Sequence, residues 1–67
     1  MAEQTVQSIE RCFTLLEQLA SRGRLGVSEL SRLTGLHKAT VYRLLQTLLE
    51  LQYVRHGEDG RYELTLR

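Results

Sequence analysis

Apolar residues recur at intervals of three and four near the start of the chain: Val6, Ile9, Cys12, Phe13, Leu16, Leu19 and Ala20. At about 100° per residue they form one face of an amphipathic helix. Gln4 or Thr5 is placed to open that helix. The run 21–26 closes it, with Gly23 as the left-handed stop. Leu15 lies about 100° off the stripe, as a scattered surface leucine or a contact with a second chain. The run 25–27 is short and extended enough to pair with a later hairpin. Ser28 is suited to cap a second helix, its hydroxyl accepting a free amide hydrogen, with Glu29 favoured in the first turn. That helix, 28–35, is short, turns Leu30 and Leu33 inward and ends at Gly35.

The helical pattern resumes within a few residues. Leu36 is apolar in the turn and His37 sits near the new cap. Val41, Leu44, Leu45, Leu48 and Leu51 then form one stripe. Two helices joined by a tight glycine-containing turn, the second longer, match a helix-turn-helix unit. After Leu51 the period falls to two. Tyr53 and Arg55 share one parity, Val54 and His56 the other, and Tyr62, Leu64 and Leu66 alternate with Arg61, Glu63 and Thr65. The segment 57–60 between them contains Asp59-Gly60, a pair able to take positive φ, so a β-hairpin is predicted. The predicted architecture is mainly α with a small β-hairpin: a winged helix-turn-helix of three helices plus a wing at 54–66.

The third helix, about 38–51, has a second face. Opposite its apolar stripe lie Ala39, Arg43, Gln46 and Glu50, flanked by Lys38, Thr40, Tyr42 and Thr47. An α-helix fits the major groove, and its N-terminal residues approach base edges first. Lys38, Ala39, Thr40, Tyr42, Arg43 and Gln46 are therefore the candidates for base contact. Arg43 can fork onto O6 and N7 of guanine, and Gln46 can pair with N6 and N7 of adenine. Thr40 and Tyr42 can bond phosphate or base, and Ala39 permits close approach or meets a thymine methyl. Glu50 lies roughly 10 Å farther along, at ~1.5 Å per residue, and is expected to stay clear of phosphates. On the wing, Arg55 and Arg61 are candidates for phosphate contact, with Glu58 and Asp59 at the tip.

Charge is uneven. Residues 1–20 carry Arg11 against three glutamates, whereas residues 21–67 carry eight basic residues against five acidic ones, although the formal net charge is only +1. The positive excess lies in the region of the predicted third helix and wing, the sign a polyanion requires. A length of 67 residues allows one domain spanning 1–67. The single cysteine, Cys12, excludes an internal disulfide. No apolar run approaches the ~20 residues of a membrane helix, so no membrane partner and a cytoplasmic location are expected. Cys12, His37 and His56 show no metal-ligand spacing, and neither a nucleophile motif nor a phosphate-cradling glycine loop is present. No catalytic role, metal or cofactor is expected.

The strings VQSIERCFTLLEQLA, GVSELSRLTGLHKATVYRLLQTLLELQYV and DGRYELTLR, in that order and spacing, resemble the N-terminal domain of the IclR (isocitrate lyase regulator) family of bacterial transcription factors. The resemblance covers 6–67. It implies operator binding by a winged helix. It also implies a linker helix and a larger effector-binding domain beyond this chain, and dimers or tetramers paired through the first helix, which gives Leu15 a possible dimer role. Carried over by position, Ser28, Lys38, Thr40, Tyr42 and Arg43 fall on DNA-contacting positions of the family. Many members have proline where this chain has His37, whose ring can instead donate to a phosphate. The expected partner is double-stranded operator DNA, with any small-molecule effector reached only through the absent C-terminal domain. The competing reading is a winged helix whose polar face docks a protein.

Overall fold

A computed structural model describes residues 6–65. Helix α1 spans Gln7–Arg22, α2 Val27–Thr34 and α3 Lys38–Glu50; strands β1, Val54–His56, and β2, Tyr62–Leu64, follow. The order is that of a winged helix. β1 and β2 pair antiparallel, with Val54 opposite Leu64, Arg55 opposite Glu63 and His56 opposite Tyr62. The other edge of β2 is met by Leu25 through an antiparallel bridge to Tyr62, so the expected pairing of 25–27 with the hairpin is present at its first residue. Reciprocal backbone bonds of 3.0 and 2.8 Å close that bridge.

The core draws on every element. Leu15 and Leu19 come from α1, Leu30 from α2, Val41, Leu45 and Leu48 from α3, with Leu25, Val54 and Tyr62 from the sheet side. This corrects the reading of α1. Leu15 is fully buried, whereas Val6, Ile9 and Phe13 are each more than half exposed. The helix carries two apolar seams, and the periodicity cannot say which one the domain covers. Leu15 and Leu19 face inward, with Cys12 and Leu16 at the margin, whereas Val6, Ile9, Phe13 and Ala20 of the expected stripe face out. Leu15 is therefore a core residue, unavailable to a second chain. Leu51, assigned to the inward stripe of α3, is also exposed, because it is the C-cap residue at which the helix ends.

Helix boundaries differ where capping decides them. The expected starts of α1 at Gln4 or Thr5 lie outside the described residues, as does Leu66 at the end of the wing; Val6 occupies the N-cap position of α1. Gly26, not Ser28, precedes α2. The Glu29 carboxylate accepts the Gly26 N–H at 2.9 Å, so a side chain inside the helix reaches back to the free amide and Ser28 lies within the first turn. At the other end Gly35 takes the left-handed conformation (φ 77°, ψ 7°) and donates to the Ser31 carbonyl. Ser31 Oγ donates to the Leu36 carbonyl at 2.6 Å, tying the turn to α2.

The end of α3 aims the wing. Gln52 N–H donates to Leu49 O and Tyr53 N–H to Leu48 O, the paired bonds of a Schellman motif. Gln52 supplies the left-handed residue at φ 68°, without being glycine. Thr65 then fastens the far strand to this corner, its hydroxyl donating to the Gln52 carbonyl at 2.6 Å.

Candidate nucleic-acid interface

The buried side chains Val41, Leu45 and Leu48 fix the rotation of α3. With that face inward, Lys38, Ala39, Tyr42 and Arg43 are exposed, and Thr40 and Gln46 are half-buried. These are the six residues expected at base edges; all lie on α3, four of them exposed. Tyr42 and Arg43 diverge by about 100° around the axis. Arg43 and Thr40 border a groove against α1, whereas Tyr42 is exposed.

The N-terminus of α3 is open. His37 stands at the N-cap with φ −64°, ψ 147° and makes no side-chain cap bond. The first amides of the helix have no intrahelical acceptor and point to solvent with the positive end of the helix dipole behind them. His37 and Ser28 are both exposed. Proline at position 37 would fit the observed φ, since its ring fixes φ near −65°.

The wing is electrostatically different. Arg55 Nε donates to Glu63 Oε2 at 2.7 Å. Arg24, between α1 and α2, reaches the same carboxylate through Nε at 3.3 Å and Asp59 through Nη1 at 3.2 Å. Arg61 Nε lies 3.9 Å from Glu29. The Arg55 hydrogen bond, together with Arg24, holds the Glu63 carboxyl below the usual range. The Arg61 backbone N–H, aided by the charges of Arg24 and Arg61, lowers that of Asp59. On the inward face His56 stacks on Tyr62, ring centroids 4.3 Å apart. Burial is the main cause that raises the Tyr62 hydroxyl pKa.

A groove of about 690 Å³ runs between α1 and α3, bordered by Ile9, Phe13, Leu16, Leu44, Leu51 and Tyr53. Cys12 also lines it, and partial burial raises its thiol pKa. Among the described residues no group of His, Cys, Asp or Glu is arranged to hold a metal ion, and no helix is long and apolar enough to cross a membrane.

Residues 8–58 match the model of the IclR helix-turn-helix domain. The chain belongs to the IclR helix-turn-helix family. It is 41% identical over 64 residues to the HTH-type transcriptional regulator KdgR of Dickeya chrysanthemi, covering 94% of this chain and 21% of that protein. The match to KdgR of Escherichia coli strain K12 has the same identity and covers 24% of the relative. The crystal structure of an IclR family transcriptional regulator from Brucella abortus superposes with a TM-score of 0.88 at 35% identity, covering 96% of this chain and 25% of that one. The chain therefore spans about a fifth to a quarter of the relatives' length, and that part is the winged-helix DNA-binding domain of the IclR fold.

Two features escaped the sequence reading. Arg24 received no role, although its place opposite Glu63 follows once Leu25 is paired with Tyr62. Gln52 gave no signal, because glutamine is not a residue type that marks a left-handed position.

Proposed function

We propose that this chain is the operator-reading domain of a bacterial transcriptional regulator, binding double-stranded DNA with α3 in the major groove. Lys38, Ala39, Thr40, Tyr42, Arg43 and Gln46 approach base edges; Ser28, His37, Arg55 and Arg61 lie along the backbone. One observation carries the reading. On the outward face of α3, Lys38 and Arg43 are exposed, and neither takes part in an ion pair among the described residues. A helix held by a tight turn and a hairpin, with uncommitted cations and hydrogen-bonding side chains outward, suits a polyanion better than a protein surface. In this reading the chain works in the cytoplasm, where bacterial DNA lies.

The relatives are transcriptional regulators, and in this reading the whole protein works as a dimer or tetramer, its effector bound outside this domain. The exposed seam of α1, Val6, Ile9 and Phe13, is the surface we assign to pairing of two domains. It takes over the role expected of Leu15.

Titration of a random duplex and of a duplex selected from a random pool tests the reading. The logarithm of affinity is expected to fall with the logarithm of salt at about −0.9 per phosphate contact, with tighter binding to the selected duplex. Absence of salt-dependent binding to either overturns it and favours the protein-docking alternative.

A further inference from the structure

We propose that Arg24 is the positioning residue of the wing. Its guanidinium bridges Glu63 and Asp59, fixing the hairpin to the body and neutralising carboxylates that would otherwise repel a phosphate backbone. The proposal rests on the DNA-binding reading given above.

The sheet register sets Arg24 at Glu63. Leu25 pairs with Tyr62 on one edge of β2, and Arg55 pairs with Glu63 on the other. Antiparallel continuation puts Arg24 beside Glu63, so Arg24, Glu63 and Arg55 form a row across the sheet. Side chains alternate between faces along a strand. The neighbouring row, Leu25, Tyr62 and His56, faces the other way, with Leu25 and Tyr62 in the core. The Arg-Glu-Arg row therefore lies on the outer face, where opposite charges on adjacent strands attract.

Arg24 also spans two acids. It contacts Glu63 in β2 and, through a different nitrogen, Asp59 at the turn. A planar fork can hold two acids at once; an ammonium is a point charge. Arg24 Nη2 would also stand 3.7 Å from a Cβ at position 57, so the guanidinium lies close over the start of the turn. Arg24 comes from outside the hairpin and ties two of its acids to the body, beside the Leu25–Tyr62 backbone bridge and the longer Arg61–Glu29 approach of 3.9 Å. Pairing also alters what DNA would meet. Without Arg24, Asp59 would keep only its bond from the Arg61 N–H and the nearby Arg61 charge, and Glu63 only Arg55, leaving the wing more negative.

The test compares the unsubstituted chain with Arg24→Gln, Arg24→Lys and Arg22→Gln, using a short fluorescein-labelled duplex of random sequence and NMR of the Gly57 and Gly60 amides. Arg22 bonds to Gln18, so its replacement controls for lost charge alone. Arg24→Gln is expected to weaken binding about 3- to 10-fold and flatten the salt slope by up to about 0.9. Arg24→Lys keeps the charge and is still expected to lose about 3-fold, because it cannot span both acids. Both should mobilise the wing-tip amides, and adding Asp59→Asn with Glu63→Gln to Arg24→Gln should recover affinity but not order. Arg24 variants matching Arg22→Gln in affinity, slope and wing-tip dynamics would overturn the proposal. Absence of salt-dependent binding by the unsubstituted chain overturns the DNA reading itself, and the amide dynamics still decide whether Arg24 anchors the wing.

Discussion

Helix α3 and the wing both carry arginine, but in different states. On α3, Lys38 and Arg43 form no ion pair among the described residues, and the amides ahead of Val41 are uncapped. On the wing, Arg55 sits on Glu63 and Arg61 leans towards Glu29. A phosphate meeting α3 finds available donors, whereas one meeting the wing must compete with carboxylates already in place. Formal charge therefore overstates the wing and understates the helix. Basic residues count towards DNA affinity only to the extent that their intramolecular partners release them.

The largest expected effect concerns the platform beneath both regions. Leu15→Ala should cost about 2–5 kcal/mol, a transfer loss plus a cavity, enough to leave so small a domain largely unfolded. Phe13→Ala should stay within about 0.5 kcal/mol in the monomer, since its side chain is exposed. Urea unfolding separates them, and equal losses would mean that the assignment of the two seams of α1 is wrong.

The next effect bears on the contrast itself. Arg43→Ala should cost about 1–3 kcal/mol on a selected duplex and relax preference at one base pair. Glu63→Gln should tighten binding to random duplex, because it removes a negative charge and releases Arg55 while Arg24 keeps Asp59. Fluorescence anisotropy reads both. Weaker binding by Glu63→Gln would show that the order of the row matters more than its charge.

Backbone changes come next. Pro at position 37 suits the observed φ and removes a donor that makes no hydrogen bond among the described residues, so His37→Pro should add about 0.4–1 kcal/mol. Gln52→Gly relieves a left-handed residue that costs an L side chain about 1–2 kcal/mol, offset by roughly 0.5–1 of added chain entropy. Thermal melts should show a small rise for each.

The smallest effect is in acid. The Asp59 and Glu63 carboxyls have lowered folded pKa values, below the ordinary 3.8 and 4.5. A depressed carboxyl stabilises the fold above its unfolded pKa and loses that contribution as pH falls through the folded value. Wing resonances should therefore hold steady above about pH 5 and titrate with midpoints below 3.8 and 4.5. Midpoints at or above those values would contradict the pairing.

Most of the fold was legible in the sequence. Gly35 before a second apolar stripe marked the helix-turn-helix, and alternation around Asp59-Gly60 marked the hairpin, because local chemistry decides both. The outward face of α3 was legible for the same reason: one inward stripe fixes its opposite. What failed needed tertiary information. Helix α1 carries two apolar seams, and only packing into the shared core with α2 and α3 selects the one with Leu15. Ser28 has the chemistry of a cap, but Glu29 reaches Gly26 and moves the boundary. Arg55 and Arg61 do flank the wing turn, yet the sharing of Glu63 depends on Arg24 arriving opposite it, a register that periodicity alone does not give.

The contrast between helix and wing is tested most directly by the salt dependence of duplex binding for Arg43→Gln and Arg55→Gln side by side. Each removes one positive charge, so equal availability would give equal slopes. The expected result is a slope flattened by close to about 0.9 for Arg43→Gln and by clearly less for Arg55→Gln. Equal flattening, or a larger change for Arg55→Gln, would contradict the claim that α3 holds the available charge and the wing the paired charge.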